Sequence, residues 1–479
     1  MTNAQRRWVC AVQDLVAATK GELLGGSSKA GAGEFTRVGT DSRADLTGRL
    51  FVPLQGENFD AHDFIPQAIT NGAVAVLVRE WRSEWEPLRA RAAFVRVGDT
   101  LQALQAFARW WRKKQNFQVL AITGSNGKTS TKEFTHMLLR KEFSTHAAKG
   151  SYNNHWGVPI SILEAGPEHT HLILELGMNK AGEIWRLCQI AEPNVVVATT
   201  VGRAHIGELG GQDKVAQAKE EIYLAAPDAI HVFNMDNEWT MRMAARSHSR
   251  KIEFSAFNPE TDVHLRAQRI NWDGLDIVGH IQGVHKQKWV HVLGRQNTVN
   301  LMAASSLALA AGMHPEIIWS EFDTLQNQAW GRNQLLRLSN GARVLFDGYN
   351  SNPDSLQALL KNLYEIEVGA RKFLIAGDMK ELGTFSEQAH VEAGERAASV
   401  GFQAVWFIGE FADAFARGLK KGAPIKAFIQ SRDVDPEISR HVLGMLEDGD
   451  FVAIKGSRGM ALERVLADWP LTTPLGHKP

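Results

Sequence analysis

Short apolar runs alternate with stretches of helical periodicity along most of this 479-residue chain. An apolar run of about four to eight residues between turn signals is typical of a buried strand. Strands that alternate with helices indicate parallel α/β sheets. The runs predicted as strands are Val74–Val78, Val119–Ile122, Leu172–Leu176, Val195–Thr199, Ile230–Phe233, Val344–Phe346, Phe373–Ala376, Val405–Ile408 and Phe451–Ile454. The stretches predicted as helices are Thr131–Arg140, Asp213–Leu224, Leu301–Ala311 and Asp354–Tyr364.

The length and two changes in composition predict three domains. At roughly 100–200 residues per domain, a chain of this length holds about three. The charged segment Trp110–Gln115 precedes the first strong central strand, and the polar, glycine-containing segment Gln326–Arg332 follows a long helical stretch. We therefore expect domains over residues 1–115, 116–327 and 328–479.

Composition narrows the class of protein without indicating a reaction. The 53 basic and 53 acidic residues balance, and the absence of a long basic block argues against nucleic acid as a partner. The two cysteines, Cys10 and Cys188, are too few for a disulfide framework, and no CxxC pair suggests zinc. The N-terminus has no sustained apolar stretch, and no run of about 18 apolar residues occurs. We expect a cytoplasmic protein without a membrane span.

The strongest local signal for chemistry is a glycine-rich loop between a predicted strand and a predicted helix. It reads Thr-Gly-Ser-Asn-Gly-Lys-Thr-Ser from Thr123 to Ser130. Glycines let backbone N–H groups surround a phosphate, and the N-terminus of the following helix favours negative charge. We expect Lys128 to reach the β- and γ-phosphates and Thr129 to offer its hydroxyl to Mg²⁺. The strict G-x-x-x-x-G-K-[ST] pattern fails at Ile122, so a chance glycine-rich turn is the alternative.

Further segments, in a fixed order along the chain, make this sequence similar to the Mur ligases. The loop from Thr123 to Thr129 resembles the ATP-binding loop of that family. The other segments that carry the resemblance are Asp41–Arg43, Leu50–Gly56, Asp60–His62, Asn153–Pro159, Glu175–Ile184, Val201–Glu208, Ala218–Tyr223, Gly294–Asn300, Gly331-Arg332, Phe346–Ser355, Gly377–Gly383 and Lys455–Arg458. The resemblance covers nearly the whole chain and rests on the ordered set.

The resemblance implies a three-domain α/β ligase. Its central domain is expected to hold a parallel sheet with helices and the phosphate loop, its C-terminal domain to be a Rossmann-like α/β domain, and its N-terminal domain to be a smaller α/β domain. Phe346–Ser355 and Gly377–Gly383 most resemble the branch that joins D-alanyl-D-alanine to UDP-N-acetylmuramoyl-tripeptide through an acyl phosphate. That branch implies ATP and about two Mg²⁺ ions as cofactors, and a monomer that contacts neither nucleic acid nor membrane.

Two alternatives to this function stay open. One is another amide ligase, such as the enzyme that adds the diamino acid or a folyl-polyglutamate synthetase. The sequence lacks the D-N-P-R-type motif expected of the diamino-acid-adding enzyme. The other is a nucleotide-binding scaffold without catalysis.

The resemblance also assigns roles to residues at matching positions. The expected catalytic residues are Lys128, Glu175, His205 and Lys219. The expected metal ligands are Thr129, Glu175, His205 and Lys219, the last of them carbamylated. ATP is expected to contact Gly124, Ser125, Asn126, Gly127, Lys128, Thr129, Ser130, Asn297, Arg332 and Asp347. The substrates are expected to contact Ser42, Arg43, Asp60, Asn153, Asn154, Tyr349, Asn350, Asn352, Lys455 and Ser457.

Physical chemistry alone allows simpler interpretations of several of these residues. His205 is an unusual Mg²⁺ ligand, because that ion prefers oxygen, and a histidine here can be an ordinary loop residue. Lys219 lies in a helical stretch, where a lysine is normally solvated. Glu175 can be a structural carboxylate after a strand, and Arg332 a surface ion-pair partner.

The sequence departs from the family pattern at three positions. Gln296 stands where the family usually has His, so its role stays open while the neighbouring Asn297 can still face adenine. Gly348 and Ser351 stand where Ala is commoner. Both of these changes conserve small size.

Overall fold

The computed structural model describes residues 8–25, 33–56, 59–326, 329–366, 371–422, 425–473 and 475. The predicted boundary between residues 327 and 328, and the start of the N-terminal stretch, lie outside the described residues. The chain forms two compact units. Unit 1 takes the described residues of Met1–Ala121, Glu142–Met178 and Glu183–Asn194, and unit 2 takes those of Ile122–Lys141, Asn179–Gly182 and Val195–Pro479.

Strands and helices alternate along both units. The strands are β1 (Cys10–Ala11), β2 (Glu22–Gly25), β3 (Glu34–Phe35), β4 (Val38–Gly39), β5 (Leu50–Phe51), β6 (Ala75–Val78), β7 (Ala93–Arg96), β8 (Gln118–Thr123), β9 (Thr145–Ala147), β10 (His171–Glu175), β11 (Val195–Ala198), β12 (Ile230–Asn234), β13 (Lys251–Phe254), β14 (Val263–Asn271), β15 (Gly274–Ile281), β16 (Val284–Val290), β17 (Gln334–Arg337), β18 (Arg343–Asp347), β19 (Lys372–Gly377), β20 (Ala404–Ile408), β21 (Ala427–Ser431) and β22 (Phe451–Lys455).

The helices lie between these strands. They are α1 (Val12–Thr19), α2 (Ile65–Thr70), α3 (Thr100–Gln115), α4 (Lys128–Leu139), α5 (Gly157–Glu164), α6 (Glu183–Ala191), α7 (Ile206–Leu209), α8 (Gln212–Leu224), α9 (Glu238–Arg246), α10 (Asn297–Ala310), α11 (Pro315–Glu321), α12 (Pro353–Glu365), α13 (Ser386–Ala398), α14 (Ala412–Leu419) and α15 (Pro436–Gly444). Each strand and helix predicted from the apolar pattern falls on one of these elements, with ends that differ by a few residues.

The N-terminal strands of unit 1 form a mixed sheet of order β2-β7-β6-β5-β4. β4 to β7 run parallel, whereas β2 is antiparallel to β7. The core beside this sheet packs Phe51, Ile65, Trp85 and Phe94. Elsewhere in the unit β9 and β10 pair in parallel. β10 ends at Glu175, so this carboxylate lies at the carboxyl end of a buried strand.

Unit 2 contains strands in the order β16-β15-β14-β13-β12-β11. β11 to β14 run parallel, and β14 to β16 form an antiparallel meander. α10 is buried along nearly its whole length, which suits its run of small and aliphatic residues. Within the described part of the chain, the helices are all too short or too polar to cross a membrane.

The C-terminal sheet of unit 2 has the order β17-β18-β22-β19-β20-β21. β17 is antiparallel to β18, and the remaining pairs are parallel. Leu345 and Leu374 pack into the core on one face, whereas Phe346 and Ile375 pack into the core on the other. A parallel sheet covered on both faces needs continuous apolar strands, which is what the sequence supplies.

Candidate active site

The glycine-rich loop joins the end of β8 to the start of α4. Gly124 has φ +144° and Gly127 has φ +84°, a backbone region that favours glycine. A Cβ atom on Gly124 would lie 2.0 Å from Thr199 Oγ1, and one on Gly127 would lie 2.1 Å from Asn300 Oδ1. Ser125 donates its backbone N–H to the Thr200 carbonyl across 2.8 Å. Both glycines are therefore required by the close packing of the loop.

Two polar side chains lie at the end of this loop, where α4 begins. Lys128 Nζ donates to the Gly124 carbonyl across 2.7 Å, so the ammonium group lies inside the loop. Thr129 is buried, and its Oγ1 lies 3.5 Å from Nη2 of Arg332. A cation and a hydroxyl at the start of a helix form an arrangement suited to phosphate and Mg²⁺.

A cavity of about 490 Å³ opens at this loop. That volume lies within the range of small-molecule sites, roughly 300–1,000 Å³. Its lining includes all predicted nucleotide contacts except Gly124. The lining residues that the sequence predicted are Ser125, Asn126, Gly127, Lys128, Thr129, Ser130, Asn297, Arg332, Asp347, Asn350, Asn352 and Lys455.

Asp347 and Lys455 occupy the same position on adjacent parallel strands, β18 and β22. Lys455 Nζ donates to Asp347 Oδ2 across 2.5 Å and to the Asn350 carbonyl across 3.0 Å. Asp347 Oδ1 also accepts from the backbone N–H of Asn333 across 3.2 Å. In open α/β sheets, ligands bind at the carboxyl ends of the strands, which is where this pair lies.

The segment after β18 contacts the phosphate loop. Asn352 caps the N-terminus of α12 in a capping box with Ser355, and its Nδ2 donates to Asn126 Oδ1 across 2.8 Å. The guanidinium of Arg332 lies 4.3 Å from the ring centre of Tyr349, within cation–π range. Asn352 thus connects the segment after β18 to the phosphate loop, and both of these line the cavity.

Tyr349 and Ser457 lie outside the lining of the cavity, although the structure describes both. Ser457 Oγ donates to the Ser351 carbonyl across 3.2 Å and accepts from the backbone N–H of Lys380 across 2.9 Å. Ser457 thus connects the segment that contains Ser351 to the loop that contains Lys380.

Lys219 is buried in α8, with 2% of its surface exposed. Burial, and next the positive charge of Lys128, lower the pKa of Lys219 well below its usual value. The interpretation of Lys219 as a solvated helix lysine is therefore wrong. A lowered pKa shifts the equilibrium of a buried amine toward its neutral, nucleophilic form.

His205 lies just before α7, in a left-handed backbone conformation with φ +63°. Its Nδ1 lies 3.1 Å from Glu381 Oε2. His205, whose ring nitrogen lies beside the carboxylate, lowers the pKa of Glu381 below its usual range. The backbone N–H of Gly207 donates to the Glu381 carbonyl across 3.3 Å, so the loop after β19 lies directly against the His205 segment.

In unit 1, Ser42 and Arg43 differ in exposure. Ser42 is buried, and its Oγ donates to Gln67 Oε1 across 2.8 Å. Arg43 is exposed and donates from Nε and Nη2 to the two carboxylate oxygens of Asp41, each across 2.9 Å. This fork lowers the pKa of Asp41 to about 2. Arg43 is thus held in place while its remaining N–H groups face solvent.

The other predicted substrate contacts of unit 1 take part in local structure. Asp60 accepts from the backbone N–H of His62 across 3.0 Å and from Arg79 Nη2 across 2.8 Å. Asn154 Oδ1 accepts from the backbone N–H of Gly157 at the start of α5 across 2.8 Å. The Asn153 carbonyl accepts from the backbone N–H of Gly177 across 2.8 Å. Asp60 and Asn154 thus stabilise the starts of helical turns, and Asn153 contacts the segment just after β10.

Three family profiles match consecutive parts of the chain. Residues 34–112 match the profile "Mur ligase family, catalytic domain", residues 122–308 match "Mur ligase middle domain", and residues 331–458 match "Mur ligase, glutamate ligase domain". The UDP-N-acetylmuramoyl-tripeptide–D-alanyl-D-alanine ligase of Bacillus subtilis is 31% identical over 436 residues, which is 90% of this chain and 92% of the relative. The chain belongs to the Mur ligase family.

Solved structures of Mur ligases share this fold. The crystal structure of MurF from Acinetobacter baumannii matches with a TM-score of 0.85 and 29% identity, over 96% of this chain and 98% of that one. MurF ligase from Thermotoga maritima in complex with ADP matches with a TM-score of 0.76 and 26% identity, over 90% and 96% of the two chains. The three-domain α/β ligase fold predicted from the sequence is confirmed.

This Mur ligase has cavity residues that the sequence did not single out. Asn300 lies one helical turn after Asn297 on α10 and donates to Asn297 Oδ1 across 2.7 Å. Arg203 donates from its backbone N–H to Asp354 Oδ2 across 2.7 Å and from Nε to Asp354 Oδ1 across 3.1 Å. The spacing of Asn297 and Asn300 on one helix face is a signal that would have found the first of them. Arg203 and Asp354 are 151 positions apart, and no local pattern joins them.

The donor set of this Mur ligase can be compared with what Mg²⁺ requires. Thr129 supplies a hydroxyl oxygen and Glu175 a carboxylate, whereas an unmodified Lys219 supplies no oxygen. Among the residues described by the structure, no group of three or more His, Cys, Asp or Glu side chains is arranged to hold a metal. Thr129 fits the role of a ligand to one ion at the phosphate loop, completed by phosphate oxygens and water. Lys219 could supply oxygen to a cation only as a carbamate.

Proposed function

We propose that this Mur ligase joins D-alanyl-D-alanine to UDP-N-acetylmuramoyl-tripeptide, with cleavage of ATP, and so makes the UDP-muramyl-pentapeptide precursor of peptidoglycan. The names of its relatives, matched over 90% of the chain, support this reaction. The observation that carries the proposal is the cavity whose lining joins the phosphate loop to Arg332, Asp347 and Lys455.

The chemistry needs an activated carboxyl group. A carboxylate oxygen of the tripeptide attacks the γ-phosphorus of ATP, the bond to the ADP oxygen breaks, and an acyl phosphate forms. The amine of the dipeptide then attacks the acyl carbon, loses a proton, and expels phosphate. Charge changes mostly on phosphoryl oxygens, so the protein acts by positioning and charge stabilisation rather than through a covalent nucleophile.

The phosphate loop binds the triphosphate in this proposal. Backbone N–H groups at the end of the loop and the start of α4 surround the β- and γ-phosphates, and Lys128 moves from the Gly124 carbonyl to a phosphate oxygen. Thr129 would hold Mg²⁺ through its hydroxyl, and a bound ion would neutralise phosphate charge.

The remaining nucleotide contacts come from beyond the loop. Asn297 faces adenine, and Asp347 accepts hydrogen bonds from ribose hydroxyls, as acidic residues do in other nucleotide folds. Arg332 and Lys455 neutralise phosphate charge, because both are cationic and both line the cavity.

Glu175, His205 and a carbamylated Lys219 are the further metal ligands that we propose. The neutral amine of Lys219 attacks CO₂ and loses a proton, which replaces a neutral amine by an anionic carbamate with two oxygens. The lowered pKa of Lys219 supports this step, because only the neutral amine reacts. With two Mg²⁺ ions bound, the site would stabilise the negative charge on the acyl oxygens and on the transferred phosphoryl oxygens.

The substrate ends are assigned to the outer domains. We propose that residues 1–115 bind the UDP end through Ser42, Arg43 and Asp60, that residues 116–327 bind ATP, and that residues 328–479 bring in the dipeptide. The proposed contacts with the acceptor peptide and the dipeptide are Asn153, Asn154, Tyr349, Asn350, Asn352 and Ser457. We also propose a monomer that works in the cytoplasm, which is consistent with its two buried free thiols.

Product mass spectrometry tests the function directly. The purified protein is incubated with UDP-muramyl-tripeptide, ATP, Mg²⁺ and D-alanyl-D-alanine, with a matched reaction that omits ATP. Parallel reactions replace the dipeptide by a diamino acid, or replace both substrates by a folate and glutamate. An ATP-dependent pentapeptide product is the expected result. A product with one of the replacement substrates alone, or no ATP-dependent product, would overturn the proposal.

A further inference from the structure

Helix α12 lies along one wall of the nucleotide cavity. Asp354, Ser355 and Ala358 line the cavity, and Asn362 and Glu365 follow on the same face at spacings of four and three residues. With a rise of 1.5 Å per residue, Asp354 and Asn362 are about 12 Å apart along the helix axis. The helix therefore carries Asp354 at one end of this face, Asn362 toward the other end, and the small residue Ala358 between them.

The N-terminal end of α12 is fixed to the loop after β11. Asp354 accepts from the backbone N–H and from Nε of Arg203, across 2.7 and 3.1 Å. A Cβ atom on Gly202 would lie 2.3 Å from Asp354 Oδ2, so the approach is close. Asn352 adds its contact with Asn126 in the phosphate loop. This end is thus held beside the phosphate loop.

The C-terminal end of α12 is fixed to the segment before α10. Asn362 is buried, and its Oδ1 accepts from the backbone N–H of Arg295 across 3.0 Å. Its Nδ2 donates to Gln296 Oε1 across 2.6 Å. Arg295 Nε forms an ion pair with Glu365 one turn further along the helix. Gln296 itself lines the cavity, so this amide pair connects α12 to the nucleotide site.

We propose that Gln296 and Asn362 are positioning residues for the nucleotide, and that their amide pair holds α12 in place as a wall of the cavity. The proposal rests on the proposed function only in taking ATP and ADP as the ligands of this cavity. Without the pair, α12 keeps its anchor at Asp354 and the ion pair between Arg295 and Glu365, but its C-terminal turn loses the direct contact that holds Gln296 in the cavity wall. Nucleotide binding must then order the wall, and the affinity falls.

Shape-matched substitutions test the pair. Gln296→Met and Asn362→Leu keep side-chain volume but remove the hydrogen-bonding groups, and Gln296→Asn combined with Asn362→Gln exchanges the two amides. Gln268→Met, on an exposed position of β14, is the matched control. The dissociation constant of Mg-ADP is measured by titration calorimetry, and KM for ATP and kcat by phosphate release. Thermal unfolding of each variant checks that it folds.

Each single variant is expected to weaken Mg-ADP binding about tenfold, the size of one buried hydrogen bond. The double variant Gln296→Met/Asn362→Leu should be no weaker than the worse single, because the two residues act as one contact. The exchanged pair should recover binding to within about threefold. KM for ATP should rise with kcat nearly unchanged, because the pair touches no reacting atom.

Three results would overturn the proposal: unchanged Mg-ADP affinity in the folded single variants, fully additive losses in the double variant, or a fall in kcat without a change in affinity. If a Met or Leu variant fails to fold, the exchanged pair carries the test, and loss of affinity in that folded protein also overturns it. A wild-type protein that makes no pentapeptide, yet binds Mg-ADP with the expected pattern across the variants, would refute the proposed function and leave this inference standing.

Discussion

Lys455 and Asp347 form a buried ion pair at the carboxyl ends of two adjacent parallel strands, with Nζ and Oδ2 2.5 Å apart. Their side chains are 1% and 11% exposed. Such a pair is costly to break, because each charge left alone has lost its hydration. The pair therefore has a structural role in addition to any role with the nucleotide, and the two must be separated by experiment.

We predict that Asp347→Leu lowers the free energy of unfolding by about 3–5 kcal/mol, because it leaves the Lys455 ammonium buried and unpaired. The double variant Asp347→Leu/Lys455→Met should recover most of this loss, since no charge remains to be buried. Urea unfolding of the two variants and the wild type measures both effects. A double variant as unstable as the single one would contradict the pairing. Neither variant should retain normal KM for ATP.

We predict that Lys128→Ala lowers turnover roughly 30- to 900-fold while the fold stays intact. The ammonium group lies inside the phosphate loop, and its loss should cost roughly 2–4 kcal/mol in the transition state. The rate of phosphate release under saturating ATP and tripeptide measures turnover, and circular dichroism checks the fold. Lys141→Ala, which removes an exposed lysine just after α4, is the control and should keep wild-type turnover. Near-normal turnover of Lys128→Ala would rule out its assignment.

How much of this site the sequence predicts depends on how local each contact is. The phosphate loop was predicted because its residues are consecutive and lie between a strand and a helix. Arg203 and Asp354, or Gln296 and Asn362, could not be paired from the sequence, since each contact joins residues far apart in the chain. A polar residue of this kind looks like any other surface residue until its partner is known.

The same distinction applies to the fold. Strands buried on both faces, such as Val195–Ala198, were predicted because nearly every residue in them is apolar. The meander of β14 to β16 was not predicted. Its first strand, Val263–Asn271, is buried only over its first three residues, is mostly exposed after them and carries charges, so it has no apolar run. The short strands of unit 1, such as Leu50–Phe51, hold too few residues to give a period.

We predict that Arg43→Ala raises KM for UDP-muramyl-tripeptide severalfold and leaves KM for ATP nearly unchanged. Arg43 is exposed, and its fork on Asp41 fixes the guanidinium while leaving N–H groups for a ligand. Steady-state kinetics with each substrate varied in turn measures the two constants. Arg96→Ala, also exposed and ion-paired in unit 1, is the control. Equal effects on both constants would argue against binding of the UDP end by residues 1–115.

We predict that His390 makes the protein less stable in mild acid. Nε2 of His390 accepts from the backbone N–H of Met379, and Nδ1 donates to the Ser386 carbonyl, so the neutral ring satisfies both contacts. Burial lowers its pKa below the usual 6.5. The unfolded chain therefore takes up a proton first, and the stabilisation present above pH 6.5 is lost as the pH falls through the folded-state pKa.

His390→Gln separates this contribution from those of other histidines. Glutamine can accept from the backbone N–H of Met379 but does not titrate. The difference in unfolding free energy between wild type and variant, from urea unfolding at about pH 7.5 and about pH 5.5, should favour the wild type less at the lower pH. A difference that is independent of pH would show that His390 does not titrate on unfolding in this range.

Lys219 offers the sharpest test of the proposed chemistry, because burial excludes the simplest account of it. The residue is 2% exposed and its pKa is lowered, which favours the neutral amine that reacts with CO₂. We predict that Lys219→Ala loses ligase activity while nucleotide still binds, and that a short carboxylic acid in solution partly restores activity by replacing the carbamate oxygens. Lys214→Ala, an exposed lysine on the same helix, should keep full activity. Carbon-13 NMR of wild-type protein in labelled bicarbonate should show a carbamate carbon that Lys219→Ala lacks. Active wild-type protein without that signal would refute the modification, and wild-type turnover in Lys219→Ala would refute the role altogether.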